Sequence, residues 1–200
     1  MPHMPRNALA AALLEWYAVA ARKMPWRGQS DPYKIWISEI MLQQTRVEAV
    51  RGYYARFLEA LPTVADLAKA PDDGLGKLWE GLGYYSRMRN LRAAAQVVQE
   101  KWNGQIPRDY DAVRSLPGIG DYTAGAICSI AFDLPVPAVD GNVLRVAARV
   151  GGCRLDILDQ KNRRQFRRWF FPERWRRALR RRWRSRGRAS PRGIAPFVSG

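Results

Sequence analysis

Apolar positions along the first 150 residues recur at spacings of three and four, which is the period of an α-helix. Near the amino terminus Leu14, Tyr17 and Ala21 follow this spacing, and Asn7 precedes them as a candidate N-cap. The pattern predicts a first helix that ends in the loop 24–32, which contains proline and glycine.

The same spacing predicts a series of further helices. They lie at 33–43, 47–61, 64–70, 74–82, 86–102, 109–116, 122–132 and 142–150. Their joints carry Pro, Gly or Asp, and no two neighbouring runs alternate with the period of two that a β-hairpin needs. The sequence therefore predicts an all-α fold with short connections, and its 200 residues suffice for one domain or two small ones.

Charge changes this picture, because the chain carries 34 Lys and Arg against 18 Asp and Glu, a net charge of +16. Residues 1–152 hold 18 basic and 15 acidic residues, whereas residues 153–200 hold 16 basic and 3 acidic ones. A charge of this sign and size predicts a polyanionic partner, with nucleic acid as the first candidate.

The basic residues between 163 and 192 are all arginine, and this segment has no sustained apolar stripe of helical period. Three interpretations stay open. The segment is a basic arm that binds nucleic acid, a solvated disordered tail, or the product of a reading-frame slip in a GC-rich gene.

Residues that bind metals are few, since His3, Cys128 and Cys153 are the histidine and cysteines of this sequence. They are too few for a four-ligand zinc site or for an iron–sulfur cluster held by cysteines alone. No apolar run reaches about 18 residues, and the apolar stretch near Glu15 lacks a signal-peptide cleavage pattern. We therefore expect chemistry by carboxylates, hydroxyls or amides, in a reducing, cytoplasmic setting with no membrane partner.

A glycine-containing turn, from Leu116 through Gly118 to Gly120, lies between two predicted helices. Glycines permit a positive φ and a close backbone approach, and the following helix offers free N–H groups to a phosphate. The alternative is an ordinary helix–helix turn. Downstream, Asp140 is placed to cap the next helix.

Five blocks of sequence, in this order, resemble the helix-hairpin-helix (HhH-GPD) base-excision DNA glycosylases, and among them the adenine DNA glycosylases of the MutY type. The blocks are PWR at 25–27, ISEIMLQQTRV at 37–47, WEGLGYYSR at 79–87, and the segments 116–127 and 137–146. The resemblance runs from about Leu14 to about Asp159 and implies the all-α fold of that family.

Glu39 lies in an otherwise apolar helical segment, and such surroundings raise a carboxyl pKa, although a solvated helix position is the alternative. The resemblance implies that Glu39 protonates adenine and helps to activate water, while Asp140 stabilises the sugar cation or bonds to it transiently. Tyr122 stands where strand-cutting relatives carry a lysine for a Schiff base, which implies base removal without strand cleavage. Asn142 is implied to support Asp140, or is only a polar residue of a first helical turn.

The resemblance also implies a set of DNA-binding residues. Gln44 and Tyr84 would enter the base stack, and Trp26 and Arg27 would line the base pocket. Trp26 could instead be a core residue, and Tyr84 a partly buried aromatic beside Tyr85. In the turn that begins at Leu116, the backbone of Gly118 and Gly120 would contact phosphate. Further candidates for phosphate contacts, or for a solvated helix face, are Arg46, Arg51, Arg87, Arg89 and Arg92.

Relatives in this family continue with a four-cysteine [4Fe–4S] motif and a domain that recognises 8-oxoguanine. We find neither here, and we expect no cofactor and a chain truncated or frameshifted after about residue 160. The expected organisation is an amino-terminal helix and loop at 1–30, a catalytic core at 31–152 and an arginine-rich tail at 153–200.

The expected function is hydrolytic removal of adenine opposite 8-oxoguanine or guanine by a monomer acting on double-stranded DNA near the nucleoid. Two alternatives remain. One is a DNA-binding module that has lost activity, and the other is a glycosylase of the same fold with another mismatch specificity, such as thymine mismatches.

Overall fold

A computed structural model describes residues 6–153, 156, 157, 159, 161 and 162 of the chain. Within these residues the regular structure is α-helical and contains no strand. The helices are α1 (Arg6–Ala20), α2 (Pro32–Leu42), α3 (Val47–Ala60), α4 (Val64–Lys69), α5 (Asp72–Trp79), α6 (Tyr85–Trp102), α7 (Tyr110–Arg114), α8 (Asp121–Phe132) and α9 (Gly141–Val150). The predicted all-α fold is confirmed for the described part of the chain.

Local sequence signals set most helix boundaries. Asp31 caps α2 by accepting from the backbone N–H of Tyr33 at 2.9 Å, and a proline follows the cap as the first helical residue. Thr63 and Asp66 form a reciprocal capping box at α4. The predicted N-cap at Asn7 is wrong, because α1 already includes Arg6 and Asn7 therefore lies within its first turn.

The core is built around α2, of which eight of eleven residues are buried. This helix packs on α3 and on α8, while α4 packs on α6 and α7 on α8. Phe57 of α3 and Trp79 of α5 meet edge to face in the same core, with ring centroids 6.0 Å apart. A helix held on several sides is a rigid support for the groups it carries.

A second, smaller apolar cluster gathers around α9. Its buried members are Val139, Leu144 and Ala148, and Cys153 and Ile157 pack against them. The arginine-rich segment 163–200 of the predicted tail lies outside the described residues. Among the helices of the described part, none has the length and apolar character needed to cross a membrane.

Candidate active site

One cavity of about 530 Å³ brings together the four residues that the sequence indicated for chemistry. Glu39 reaches it from α2, Tyr122 from the first turn of α8, and Asp140 and Asn142 from the start of α9. Its other lining residues are Arg22, Leu42, Gln43, Thr45, Arg46, Val47 and Glu48. A volume of this size suits a small organic group such as a nucleobase.

The Glu39 carboxyl is the buried acid of this cavity, with 3% of the residue exposed. Burial raises its pKa to about 7, as the apolar neighbours in the sequence predict. A hydrogen bond from Tyr122 opposes this increase, and the negative charge of Asp140 adds to it. The solvated-helix alternative for Glu39 is therefore wrong, and the carboxyl can hold a proton near neutral pH.

Asp140 is both an N-cap and a cavity residue, so its two interpretations do not exclude each other. Its Oδ1 accepts from the backbone N–H of Val143 at 2.7 Å, and its Oδ2 accepts from Asn142 Nδ2 at 3.3 Å. Arg145 Nη2 in turn donates to Asn142 Oδ1 at 3.1 Å. These bonds fix where the carboxylate lies relative to Glu39.

Gly125 sets the path of the segment that leads to Asp140. A Cβ on Gly125 would lie 2.3 Å from the carbonyl oxygen of Pro137, so only glycine permits this approach of the segment to α8. This role of Gly125 was not predicted from the sequence. A glycine inside an apolar helix was the available signal.

Gln44 and Tyr84, which we call the wedge residues after the role expected from the sequence, lie in two loops, and the loop of Gln44 borders the cavity through Gln43 and Thr45. Gln44 is exposed and has a φ of 58°, and Tyr84 is 59% exposed with a φ of 48°. The partly buried alternative for Tyr84 is wrong. Left-handed backbone at a residue other than glycine costs on the order of 1 kcal/mol and is concentrated at functional sites.

The two glycines of the turn between α7 and α8 have different backbone conformations. Gly118 has a φ of 72°, and a Cβ there would lie 2.7 Å from Asn90 Cβ. Gly120 has a φ of −92°, which any residue adopts, so the expected need for a positive φ holds only at Gly118. Gly120 is the N-cap of α8, without a side chain to bond the first N–H groups, and the space beside it is open.

Two predicted DNA-binding side chains lie elsewhere than expected. The side chain of Leu116 is buried in the core with 3% exposed, so only its backbone could meet DNA. Trp26 is 6% exposed and packs edge to face on Tyr54 with ring centroids 5.4 Å apart. Trp26 is absent from the cavity lining, and its alternative role as a core residue is confirmed.

Arg27 acts on the cavity indirectly. Its Nη1 donates to the carbonyl oxygen of Arg22 at 2.9 Å, and its guanidinium lies 5.7 Å from the centroid of the Tyr17 ring. Because Arg22 lines the cavity, Arg27 supports the chain on that side. It is not itself a lining residue.

Several of the arginines considered for phosphate contacts are engaged within the protein. Arg51 donates to the carbonyl oxygen of Lys23 at 3.1 Å, and Arg92 pairs with Asp72. Arg87 is buried, with 9% exposed. A phosphate role for Arg87 is therefore wrong, since no phosphate could reach its guanidinium.

The cysteines do not fit an iron–sulfur cluster. Cys128 is fully buried within α8, and burial raises the pKa of its thiol to about 12, whereas Cys153 packs on the α9 cluster. Two thiols cannot supply the four thiolates that a [4Fe–4S] cluster requires. In the described part of the chain, no group of three or more His, Cys, Asp or Glu residues could hold a metal ion.

The glycine-containing turn between α7 and α8 ends directly before α8, whose residue Tyr122 lines the cavity together with Glu39 and Asp140. The model of the family described as HhH-GPD superfamily base excision DNA repair protein matches residues 37–172. The chain belongs to this superfamily.

Similar proteins of known name are adenine DNA glycosylases. The chain is 47% identical over 159 residues to the adenine DNA glycosylase of Rattus norvegicus, and this match covers 75% of the chain and 31% of the rat protein. It is 46% identical over 138 residues to the one from Buchnera aphidicola subsp. Baizongia pistaciae, covering 68% and 39%. The chain therefore spans about a third of the length of these relatives.

Solved structures agree with this family. A thermostable thymine-DNA glycosylase superposes with a TM-score of 0.72 at 30% identity, covering 80% of this chain and 76% of that one. A trapped endonuclease III–DNA covalent intermediate gives a TM-score of 0.64 at 29% identity, covering 73% and 68%. The fold is thus shared with a thymine-DNA glycosylase and with an endonuclease III.

Proposed function

We propose that this chain carries the catalytic core of an adenine DNA glycosylase that hydrolyses the N-glycosidic bond of adenine paired with 8-oxoguanine or guanine. One observation carries the proposal. Glu39, Tyr122 and Asp140 line a single cavity in which the pKa of Glu39 is raised to about 7. Relatives named adenine DNA glycosylase, at 46% and 47% identity, support it.

The chemistry begins with the acid. Adenine is a poor leaving group, and a proton delivered to a ring nitrogen lets it depart as a neutral base. Glu39 holds that proton near neutral pH because it is buried. Once the base has left, the Glu39 carboxylate can accept a proton from the attacking water.

The sugar that remains develops positive charge, as in other glycoside hydrolyses. Asp140 is the carboxylate that stabilises this charge or bonds to the sugar transiently. Its two hydrogen bonds, from Val143 N–H and Asn142 Nδ2, hold it in place without neutralising it. The two carboxyl groups thus divide the work, because Glu39 supplies a proton and Asp140 supplies negative charge.

Tyr122 limits the reaction to hydrolysis. A phenol cannot form the Schiff base with the sugar through which a lysine would lead to strand cleavage. Tyr122 is instead bonded to Glu39, where it orients the acid and tunes the pKa of its carboxyl. We therefore expect an abasic site with an intact strand as the product.

The proposed substrate is double-stranded DNA, from which the target base must be extruded. The wedge residues Gln44 and Tyr84 are both exposed, and the loop of Gln44 borders the cavity, so that these side chains could fill the gap left in the stack. The uncapped N-terminus of α8 behind Gly120 supplies N–H groups and a positive dipole end for a phosphate. A single copy of the chain provides all of these elements.

A thymine-mismatch specificity is the second candidate, because a thymine-DNA glycosylase is among the matching structures. Its 30% identity is lower than the 47% shared with the rat adenine glycosylase. Glu39 also favours adenine, because a purine leaving group gains most from protonation of its ring.

A single-turnover assay tests the function. Duplexes would carry adenine opposite 8-oxoguanine, guanine or thymine, or thymine opposite guanine, with and without alkali treatment to reveal abasic sites. Alkali-dependent cleavage at adenine that Glu39→Gln abolishes would support the proposal. Cleavage at thymine would favour the second candidate, and duplex binding without any product would indicate a DNA-binding module.

A further inference from the structure

Arg87 joins three segments of the chain, two of which carry residues that line the cavity. Its Nη1 donates to the carbonyl oxygens of Ile40 at 2.9 Å and Met41 at 3.0 Å, and to that of Gln43. Its Nη2 donates to Thr45 Oγ1 and to two further carbonyl oxygens. These acceptors belong to Leu82, at 3.2 Å, and Gly83, at 3.3 Å.

These acceptors belong to functionally distinct places. The carbonyls of Ile40 and Met41 are at the end of α2, directly after the proposed acid Glu39. The acceptors at 43–45 form the loop that carries Gln44, and those at 82–83 precede Tyr84. One guanidinium therefore contacts the end of the catalytic helix and both loops that carry the wedge residues.

Electrostatics explain why a buried cation is tolerated at this position. The carbonyls at the end of a helix lack intrahelical partners and carry the negative end of the helix dipole, which favours a cation. Arg87 itself lies in the first turn of α6, where a positive charge is unfavourable. The local cost in α6 is thus offset by the contacts with α2 and the two loops.

Aromatic rings complete the arrangement. The Arg87 guanidinium carbon lies 5.5 Å from the centroid of the Trp79 ring and 5.4 Å from that of the Tyr84 ring. Trp79 Nε1 also donates to the carbonyl oxygen of Gly83 at 3.1 Å. The wedge residue Tyr84 is therefore in direct contact with the group that holds the Gln44 loop.

We infer that Arg87 is a positioning residue that locks the two wedge loops to the end of the Glu39 helix, so that base extrusion delivers adenine to the acid. The inference rests on the proposed function. A displacement of about 1 Å at a reacting group can cost about a hundredfold in rate, so loosening these loops should slow excision more than binding.

The test compares Arg87→Lys with Arg56→Lys in the full chain. Lysine keeps the charge but loses the planar fork of donors. Arg56 is an exposed arginine of α3 that stacks on the Tyr53 ring with 4.8 Å to the centroid, and it does not line the cavity. Circular dichroism confirms that each variant is folded before it is assayed.

Three readouts follow. The first is the dissociation constant for a duplex, the second is the fluorescence rise of 2-aminopurine placed at the target position, and the third is the single-turnover rate against pH. For Arg87→Lys we expect at least about a tenfold loss in rate and a smaller fluorescence rise, with the dissociation constant within about threefold of the wild type. The pH of half-maximal rate stays unchanged, because Glu39 keeps its surroundings.

A folded Arg87→Lys variant with wild-type rate and fluorescence would overturn the inference, as would an equal loss in Arg56→Lys. If Arg87→Lys does not fold, Thr45→Val replaces it, since Thr45 Oγ1 is the one side-chain acceptor among the six and this change removes it. A smaller loss of the same kind supports the inference, and none overturns it.

Failure of the proposed function can be distinguished from failure of the inference about Arg87. A wild type that excises no adenine would refute that function. In that case amide hydrogen exchange at 43–45 and 82–84 still tests whether Arg87 holds the two wedge loops in place. Faster exchange of both loops in Arg87→Lys, with unchanged exchange in α8, supports this role of Arg87. Unchanged exchange in the loops refutes it.

Discussion

Tyr122, in the first turn of α8, donates a hydrogen bond to the carboxyl of Glu39 in the middle of α2. The two residues are 83 positions apart in the chain and meet because α2 and α8 pack against each other. Burial raises the pKa of Glu39, and this bond opposes the increase. The pKa of Glu39 is thereby held near 7, so that at neutral pH the carboxyl can both keep a proton and donate it.

Tyr122→Phe removes the only one of these influences that lowers the Glu39 pKa, so that the pKa should increase further. The decline in the single-turnover rate on the alkaline side should move to higher pH, because Glu39 keeps its proton longer. The measurement is the rate of adenine excision over a range of about pH 5 to 10. A decline that stays in place, or moves to lower pH, would contradict this reading of the bond.

Glu39→Gln should abolish excision, by at least about a hundredfold, because an amide cannot donate the proton. Duplex binding should persist, which a fluorescence-anisotropy titration checks. Loss of binding and of activity together would instead indicate a folding defect.

The same substitution should change stability in a pH-dependent way. Between about pH 4.5 and pH 7, Glu39 is ionised in the unfolded chain but keeps its proton in the folded protein. The free energy of unfolding therefore decreases as the pH rises through this range. Above pH 7 the cost reaches at most about 3 kcal/mol, and Glu39→Gln removes it. Urea unfolding at several pH values should show the variant to be more stable at high pH, with an advantage that shrinks towards acid. A pH-independent difference would be evidence against the raised pKa.

Asp140→Asn separates the charge of this residue from its role as a cap. Asparagine is also a good N-cap, so α9 should keep its start and the stability should change by less than about 1 kcal/mol. The excision rate should fall by about a hundredfold or more, since the negative charge opposite the sugar is lost. Asp109→Asn is the control, because Asp109 caps α7 by accepting from Ala112 N–H at 2.9 Å and does not line the cavity. Equal rate losses in both variants would show that capping alone matters.

Gly125→Ala should weaken both stability and activity. The added Cβ would meet the Pro137 carbonyl oxygen, so the segment that leads to Asp140 must move, at a cost of about 1–3 kcal/mol. Gly76→Ala in α5 is the control, because its Cβ meets nothing within 4 Å and should stabilise the helix by about 0.5–1 kcal/mol. Thermal unfolding and the single-turnover rate measure both effects, and full activity in Gly125→Ala would contradict the role of this contact.

The two glycines of the hairpin turn should respond differently to alanine. Gly118→Ala should destabilise the protein by about 1 kcal/mol or more, because of its positive φ and its approach to Asn90. Gly120→Ala should cost only about 0.5 kcal/mol of stability, because alanine is a poorer N-cap than glycine, but it should weaken duplex binding by about tenfold, since its Cβ would enter the space at the α8 N-terminus. Thermal unfolding and duplex titration distinguish the two. Wild-type affinity in Gly120→Ala would place the phosphate elsewhere.

Local signals in the sequence are sufficient for the helices and for part of the site. The cap predicted at Asp140 follows from the residue types that bond free N–H groups, and the structure has it, whereas the cap predicted at Asn7 is wrong. The burial of Glu39 could be read from the apolar residues on either side of it, because they predict a buried helix. These inferences involve neighbours in the chain, for which sequence spacing alone determines which residues are in contact.

The roles of Arg87 and Gly125 were decided by the tertiary structure alone. An arginine in a helical segment looks the same in sequence whether it faces water or, like Arg87, bonds the end of another helix 46 and 47 residues away. The space beside Gly125 depends likewise on where Pro137 passes. Sequence by itself determined the helices, the cap at Asp140 and the acid Glu39. Packing decided which distant groups surround that acid, because burial and hydrogen bonding depend on neighbours in space and not on neighbours in the chain.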